Sequence, residues 1–312
     1  LTRAPLKPFS RLSYTFTFLL ESGVAETTQP FNLEYRDNRY NWQTLSASDL
    51  QVYWYNGDPA FGQAILNTAV EGRARVSELL PQQALPPVKL VVYTSAGDLQ
   101  NALTLSRLPY IAGHASPESG TVFVSIPPGP EAQVEMRRQI PHELMHIQLY
   151  QALGSAYPTA PDWLLEGTAT SAELAPNADH TKALESASAA NTLLPMVSLC
   201  AQFPEDAPAA FLAYAQSGSF VQYLITTRGK DSLAILIAAY RNGLGCEEAV
   251  YQTYGSELSR LDLEWRRAVL GYDPLTAGLN NLLPYALLAG AALLPGLLTL
   301  LLRPARPKET VE

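Results

Sequence analysis

The chain has 312 residues, of which 47% are hydrophobic, enough to bury one large core or two modest ones without staples. A formal charge of −8 and the absence of any Lys/Arg cluster argue against nucleic acid as the main partner. The only cysteines, Cys200 and Cys246, are too few for a disulfide scaffold and lack the paired spacing of a zinc ribbon; one bridge and two unpaired buried thiols fit the sequence equally well.

Leu1 in place of Met is what removal of a secretory signal would leave, and equally what a trimmed chain would show. Tyr14 to Leu20, Phe31 to Arg36 and Asp49 to Tyr55 are rich in aromatic and β-branched residues and are separated by polar turns, so they are predicted as strands of a small β-sandwich-like module over residues 1–57. From residue 58 the pattern changes. Phe61, Ala64, Ile65, Ala69, Val70 and Val76 recur at helical spacing over Pro59 to Leu80, and VKLVVY at Val88 to Tyr93 then reads as a buried strand. TVFVSI at Thr121 to Ile126 is a further strand, and the chain beyond it is predicted helical up to Leu270. These elements imply an α+β fold with a mixed sheet followed by a helical bundle, spanning residues 58–275.

Leu282 to Leu302 reads LLPYALLAGAALLPGLLTLLL, 21 residues without a charge, the length that a hydrocarbon core of about 30 Å requires. It is predicted to be a transmembrane helix, joined through a linker at 276–281, with Pro284 and Pro295 tolerated as they are in spanning segments. Arg303, Arg306 and Lys308 place the tail 303–312 in the cytoplasm and the rest of the chain outside it, a single-pass cell-membrane arrangement that also permits a Cys200–Cys246 bridge.

Two of the four histidines fall in HELMH, His142 to His146. Four residues is one helical turn, so both imidazoles project from one face and can share a metal ion, with Glu143 beside them to handle a metal-bound water. At this composition the pattern arises by chance roughly 0.003 times per chain. Ile140, Leu144, Met145 and Ile147 flank it, so the histidines are expected to be partly buried. Pro141 should either kink a helix that begins around Glu131 or open a new one at its first position. A catalytic zinc needs a third protein ligand, and Glu166 in WLLEGTA offers one after a first helix ending around Gly154, a loop with Pro158 and Pro161, and a second helix from Asp162.

HExxH followed by Trp-Leu-x-Glu-Gly resembles the gluzincin metallopeptidases, specifically the peptidase-MA-like group related to thermolysin and the zinc aminopeptidases. The resemblance covers about Val88 to Leu270 and implies that His142, His146 and Glu166 bind Zn2+ while Glu143 is the general base. Glu173 occupies the place where the aminopeptidase branch carries an acidic residue supporting a zinc histidine, though a solvated helix charge fits that position as well. The family's oxyanion donor downstream points to Tyr214 in AYAQSGSFVQYL, one of 16 tyrosines, with Tyr223 on the same segment. IAGHASPESG, Ile111 to Gly120, lacks the aminopeptidase Gly-x-Met-Glu-Asn signature, so the implied activity is endopeptidase cleavage of peptide or protein substrates. The resemblance implies that an extended substrate lies against a sheet edge beside the zinc helix, which makes TVFVSI the expected edge strand; His114 in the preceding stretch reads either as a substrate contact or, more simply, as an exposed loop histidine. The competing reading is a non-catalytic cell-surface binding or adhesion module with a structural or degenerate zinc site; an intact Glu143, which ligates nothing, argues against it. Nothing in the sequence indicates an oligomeric state.

Overall fold

The computed structural model describes residues 6–103, 113–272 and 282–294. The chain begins with β1 Ser10–Tyr14, β2 Thr17–Leu19, β3 Ala25–Thr27 and β4 Phe31–Tyr35. β1 pairs antiparallel with β4 and β2 with β3, so these four make one long ribbon in which Leu12 faces Leu33 and Tyr14 faces Phe31. Tyr14 stacks on Phe31 at 5.4 Å, and Phe16, Phe18 and Leu33 are exposed along the ribbon with them.

The expected N-terminal sandwich is therefore not what residues 10–54 form. β5 Gln43–Ala47 and β6 Leu50–Trp54 instead open a five-stranded mixed sheet that continues with β7 Val88–Tyr93, β8 Gly113–Ser116 and β9 Thr121–Ser125 in the order β5-β6-β7-β9-β8. The cause is visible in β6, where Leu50, Val52 and Trp54 are buried on one face and Tyr53 on the other. Two-sided burial belongs to the interior of a parallel sheet and not to a half-solvated sandwich strand. The boundary expected at residue 58 falls inside a right-sized β-α-β unit, because α1 Pro59–Leu79 carries the chain from β6 to parallel β7. Asp58 caps α1 by accepting the Phe61 N–H at 2.9 Å, with Pro59 at the first position.

TVFVSI is likewise not the edge: β9 lies between β7 and β8, and β8 is the outer strand on that side among the described residues. β8 reads GHAS, short and small, with none of the β-branched signal that marks strands in sequence; short edges of this kind resist unwanted pairing.

Both sheet faces are covered. Leu90, Val92, Val122 and Val124 point into a large core shared with α1 and α3 Ala132–Leu153. Val91, Tyr93 and Phe123 point the other way, against Phe9 and Leu99 and Leu103 of α2 Ala96–Leu103. Asp37 pins the N-terminal ribbon to that second face: it accepts three bonds from Arg39, one of them from the backbone N–H, and one from the Tyr93 hydroxyl at 3.1 Å.

The helical part follows as α4 Asp162–Ala172, α5 Ala178–Ala189, α6 Ala207–Arg228, α7 Lys230–Arg241, α8 Cys246–Tyr254 and α9 Leu258–Leu270. Cys200 and Cys246 are joined in a disulfide, which ties the segment after α5 to the start of α8. The Trp163 indole of α4 contacts Cys246 Sγ at 3.4 Å, so the bridge sits behind the helix that carries Glu166. Residues 282–294 are helical with exposed apolar side chains. The rest of the expected span, 295–302, lies outside the described residues, as do the linker 276–281 and the tail 303–312. Among the described residues no helix is long and apolar enough to cross a membrane.

The 46-residue separation of the two cysteines sets the loop that the bridge closes. Chain entropy alone then assigns it about 4 kcal/mol. Denaturant titration of Cys200→Ser/Cys246→Ser should show a loss of that order relative to the oxidised protein.

Candidate active site

α3 runs unbroken for 22 residues with Pro141 inside it, so the helix neither stops nor restarts at the proline. The flanking Ile140, Leu144, Met145 and Ile147 are fully buried, which fixes the rotation of the helix and turns His142 and His146 toward a cleft of about 860 Å³. The two rings stand 5.0 Å apart, centre to centre.

α4 supplies the third group. Its Trp163, Leu164 and Ala169 are buried against the core, which leaves Glu166 facing α3. The approach depends on glycine: a Cβ at Gly167 would stand 2.5 Å from the Ser217 carbonyl oxygen and 2.6 Å from Val221, both on α6. Gly218 answers from the other helix, where a Cβ would press on Thr170. The Glu-Gly pair in WLLEG thus combines a candidate ligand with the backbone-close helix crossing that aims it.

Glu166 Oε2 lies 3.3 Å from His142 Nε2 and 3.5 Å from His146 Nε2. Ligand atoms each about 2.0–2.1 Å from a tetrahedral zinc stand roughly 3.3 Å apart, which the two distances from Glu166 match, and all three ligand atoms lie within 4.8 Å of one another. His142, His146 and Glu166 are the one group of this kind found among the described residues.

The outer ring nitrogens have separate partners. His142 Nδ1 meets Glu173 Oε1 at 3.2 Å, and His146 Nδ1 meets the Tyr157 hydroxyl at 3.4 Å. Tyr157 sits on the single-turn segment between α3 and α4, where nothing in its sequence surroundings distinguishes it from fifteen other tyrosines. Burial pushes its phenol above the ordinary value, and the Glu166 and Glu143 carboxylates add to that.

Charges are strongly coupled here. Burial opposes ionisation of Glu166, yet His146 and His142 outweigh it and hold the carboxyl well below the usual range. Burial also opposes a charged His142, but its bonds to Glu166 and Glu173 raise it well above an ordinary histidine. Glu143 goes the other way: burial raises it, only partly offset by the two histidines. Its carboxylate accepts the Ala115 backbone N–H, and a Cβ at Gly113 would collide with Glu143 Oε1. The edge strand β8 therefore lies directly over this carboxylate, and glycine at 113 makes room for it.

A sequence model of the Peptidase MA superfamily matches residues 68–271, about two-thirds of the chain. The chain belongs to that superfamily. No curated protein matches it in sequence. Peptidase MA members are commonly metallopeptidases, so the superfamily and the His-His-Glu group point the same way.

The other expected residues also reach the cleft. Tyr214 lines its far wall from α6, in edge contact with Phe203 at 5.1 Å, whereas Tyr223 is not among the lining residues. His114 is not a free loop histidine: it stands on β8, lines the cleft, and its Nε2 accepts from Lys7 Nζ at 3.4 Å.

Two tests follow from these contacts. Gly167→Ala should lower stability by about 1–3 kcal/mol, the usual range for overpacking, in denaturant unfolding. Burial, with the Lys7 ammonium second, lowers the His114 pKa to about 4. The unfolded chain takes up this proton near pH 6.5 and the folded one only near 4, so stability is lost as pH falls through that window and no further below it. His114→Gln should flatten this part of the acid limb by on the order of 2 kcal/mol, read as the difference between the two proteins' stability curves across pH 7 to 4.

Proposed function

We propose that this Peptidase MA protein is a zinc-dependent endopeptidase held at a cell membrane with its cleft on the extracytoplasmic side. One observation carries the catalytic part: ligand atoms of two histidines and one carboxylate from α3 and α4 converge within 4.8 Å of one another, beside a second, buried carboxylate, Glu143.

In this reading His142, His146 and Glu166 hold the zinc. When bound, the ion lowers the pKa of water to about 7 and polarises a carbonyl. Every remaining task falls to the protein. Glu143, kept in place by the Ala115 N–H and raised in pKa by burial, takes a proton from the attacking water and hands it to the departing amine. β8 offers its open edge to an extended peptide, whose main chain would pair with the backbone of Gly113–Ser116 as a sixth strand. That geometry draws affinity from backbone hydrogen bonds and does not require a chain end, which favours endopeptidase action. Tyr214 is the proposed donor to the carbonyl oxygen from the opposite wall. Support for membrane anchoring is the charge-free stretch at 282–302 followed by Arg303, Arg306 and Lys308.

The purified full chain should contain about one zinc per molecule by elemental analysis and cleave an unfolded protein substrate. Glu143→Gln should keep the metal and lose at least about a thousandfold in kcat/KM. A chain with full zinc and no cleavage of any library peptide would make the cleft a binding site and refute the peptidase reading.

A further inference from the structure

Pro141 is the residue that a helix carrying two metal ligands should least contain. A proline inside a helix removes one i→i−4 hydrogen bond and pushes its ring against the carbonyl of residue i−4, here Arg137. α3 nevertheless continues through it.

The orphaned carbonyl has been given other work. Arg137 O accepts the backbone N–H of Leu174 at 2.8 Å, a bond between α3 and the residue immediately after Glu173. Two guanidinium groups from the same turn of α3 secure the neighbouring carbonyls: Arg137 reaches Leu174 O at 3.2 Å, and Arg138 holds Pro176 O at 2.8 Å and 3.2 Å. Residues 173–176 thus lie as a strap along α3. Glu173 is the C-cap of α4: its N–H still bonds Thr170 O at 3.2 Å, but φ −56° and ψ 139° turn the chain out of the helix there, so the course of the chain beyond it is set by the bonds to α3. Its carboxylate ends 3.2 Å from His142 Nδ1, and His142 is the residue next to Pro141.

We infer that Pro141 is a positioning residue for the metal site: by withholding its own N–H and tilting the Arg137 carbonyl outward, it creates the acceptor that docks the strap and so places Glu173 on His142. An alanine at 141 would supply an N–H that competes for the same carbonyl within the helix. The chain of effects runs from the proline through Arg137 O and Leu174 N to Glu173, and ends in the orientation and basicity of His142. The inference rests on the metal-site reading above.

The test is zinc affinity of the full-length protein, measured by competition with a chromophoric chelator, together with unfolding of the metal-free chain. Pro141→Ala should weaken zinc binding about tenfold, the lower end for loss of a group that orients a metal ligand. In a Glu173→Ala background the same substitution should change affinity by less than about twofold, because the group it acts through is gone. Pro141 also packs on α1, where a Cβ at Gly72 would stand 3.1 Å from its ring. A second variant therefore removes the bond from the other side. Leu174→Pro deletes the donor and leaves α3 intact, and Glu173 already has the extended backbone that a following proline demands. It should reproduce the tenfold loss, again only while Glu173 is present. Unchanged affinity in both variants, or a loss that is fully additive with Glu173→Ala, overturns this inference alone. A wild-type chain that takes up no zinc overturns the metal-site reading and this inference with it.

Discussion

The structure turns on bringing one carboxylate to two imidazoles in a place where water is scarce. Glu166 meets His142 and His146 at 3.3 Å and 3.5 Å, and none of the three could be buried alone without a large desolvation cost. Everything around them keeps that convergence from relaxing. The apolar residues of α3 fix its rotation, the glycine pair at the α4–α6 crossing sets how closely the second helix approaches, and the disulfide lies behind Trp163 on the far side of α4. These are three independent constraints on a single interatomic spacing.

The surroundings divide the two histidines. His142 is backed by the carboxylate of Glu173 and His146 by the phenol of Tyr157, so a cation at the shared Nε2 face would feel one ring made more basic by a charge and one held by a neutral group. Glu143 is treated differently again. It is buried beside the same rings, but its partners are the backbone of β8, which leaves its oxygens available for protons. Four acidic and basic groups on two helices thus acquire separate tasks from environment alone.

The sheet serves the site more directly than its aromatic N-terminal sequence suggests. β5 and β6 extend it on one side, and the layer formed by Phe9, Tyr53, Tyr93 and Phe123 seals its outer face. That leaves β8 as an edge, among the described residues, beside the helix that carries His142 and His146. Its small residues follow from the position: a Cβ at 113 has no room next to Glu143, and Ala115 offers its N–H to the same carboxylate.

The amino-acid sequence by itself determined that His142 and His146 share one face of a helix, since their i, i+4 spacing within an apolar pattern depends only on helical periodicity. It also determined the start of the helix that carries Glu166, and the ranges of α1 and β7 to within a residue, because strong periodicity and local caps decide such elements. Tertiary structure alone decided the rest. The membership of β5 and β6 in the mixed sheet, the edge role of β8, the bond from Tyr157 to His146 and the pairing of Cys200 with Cys246 all depend on how separate elements pack, which no local pattern encodes. The carbonyl freed by Pro141 shows the division most clearly. Its loss of a partner can be read from one residue, but the partner that replaced it is 37 positions away and is found only when the chain has folded back on itself.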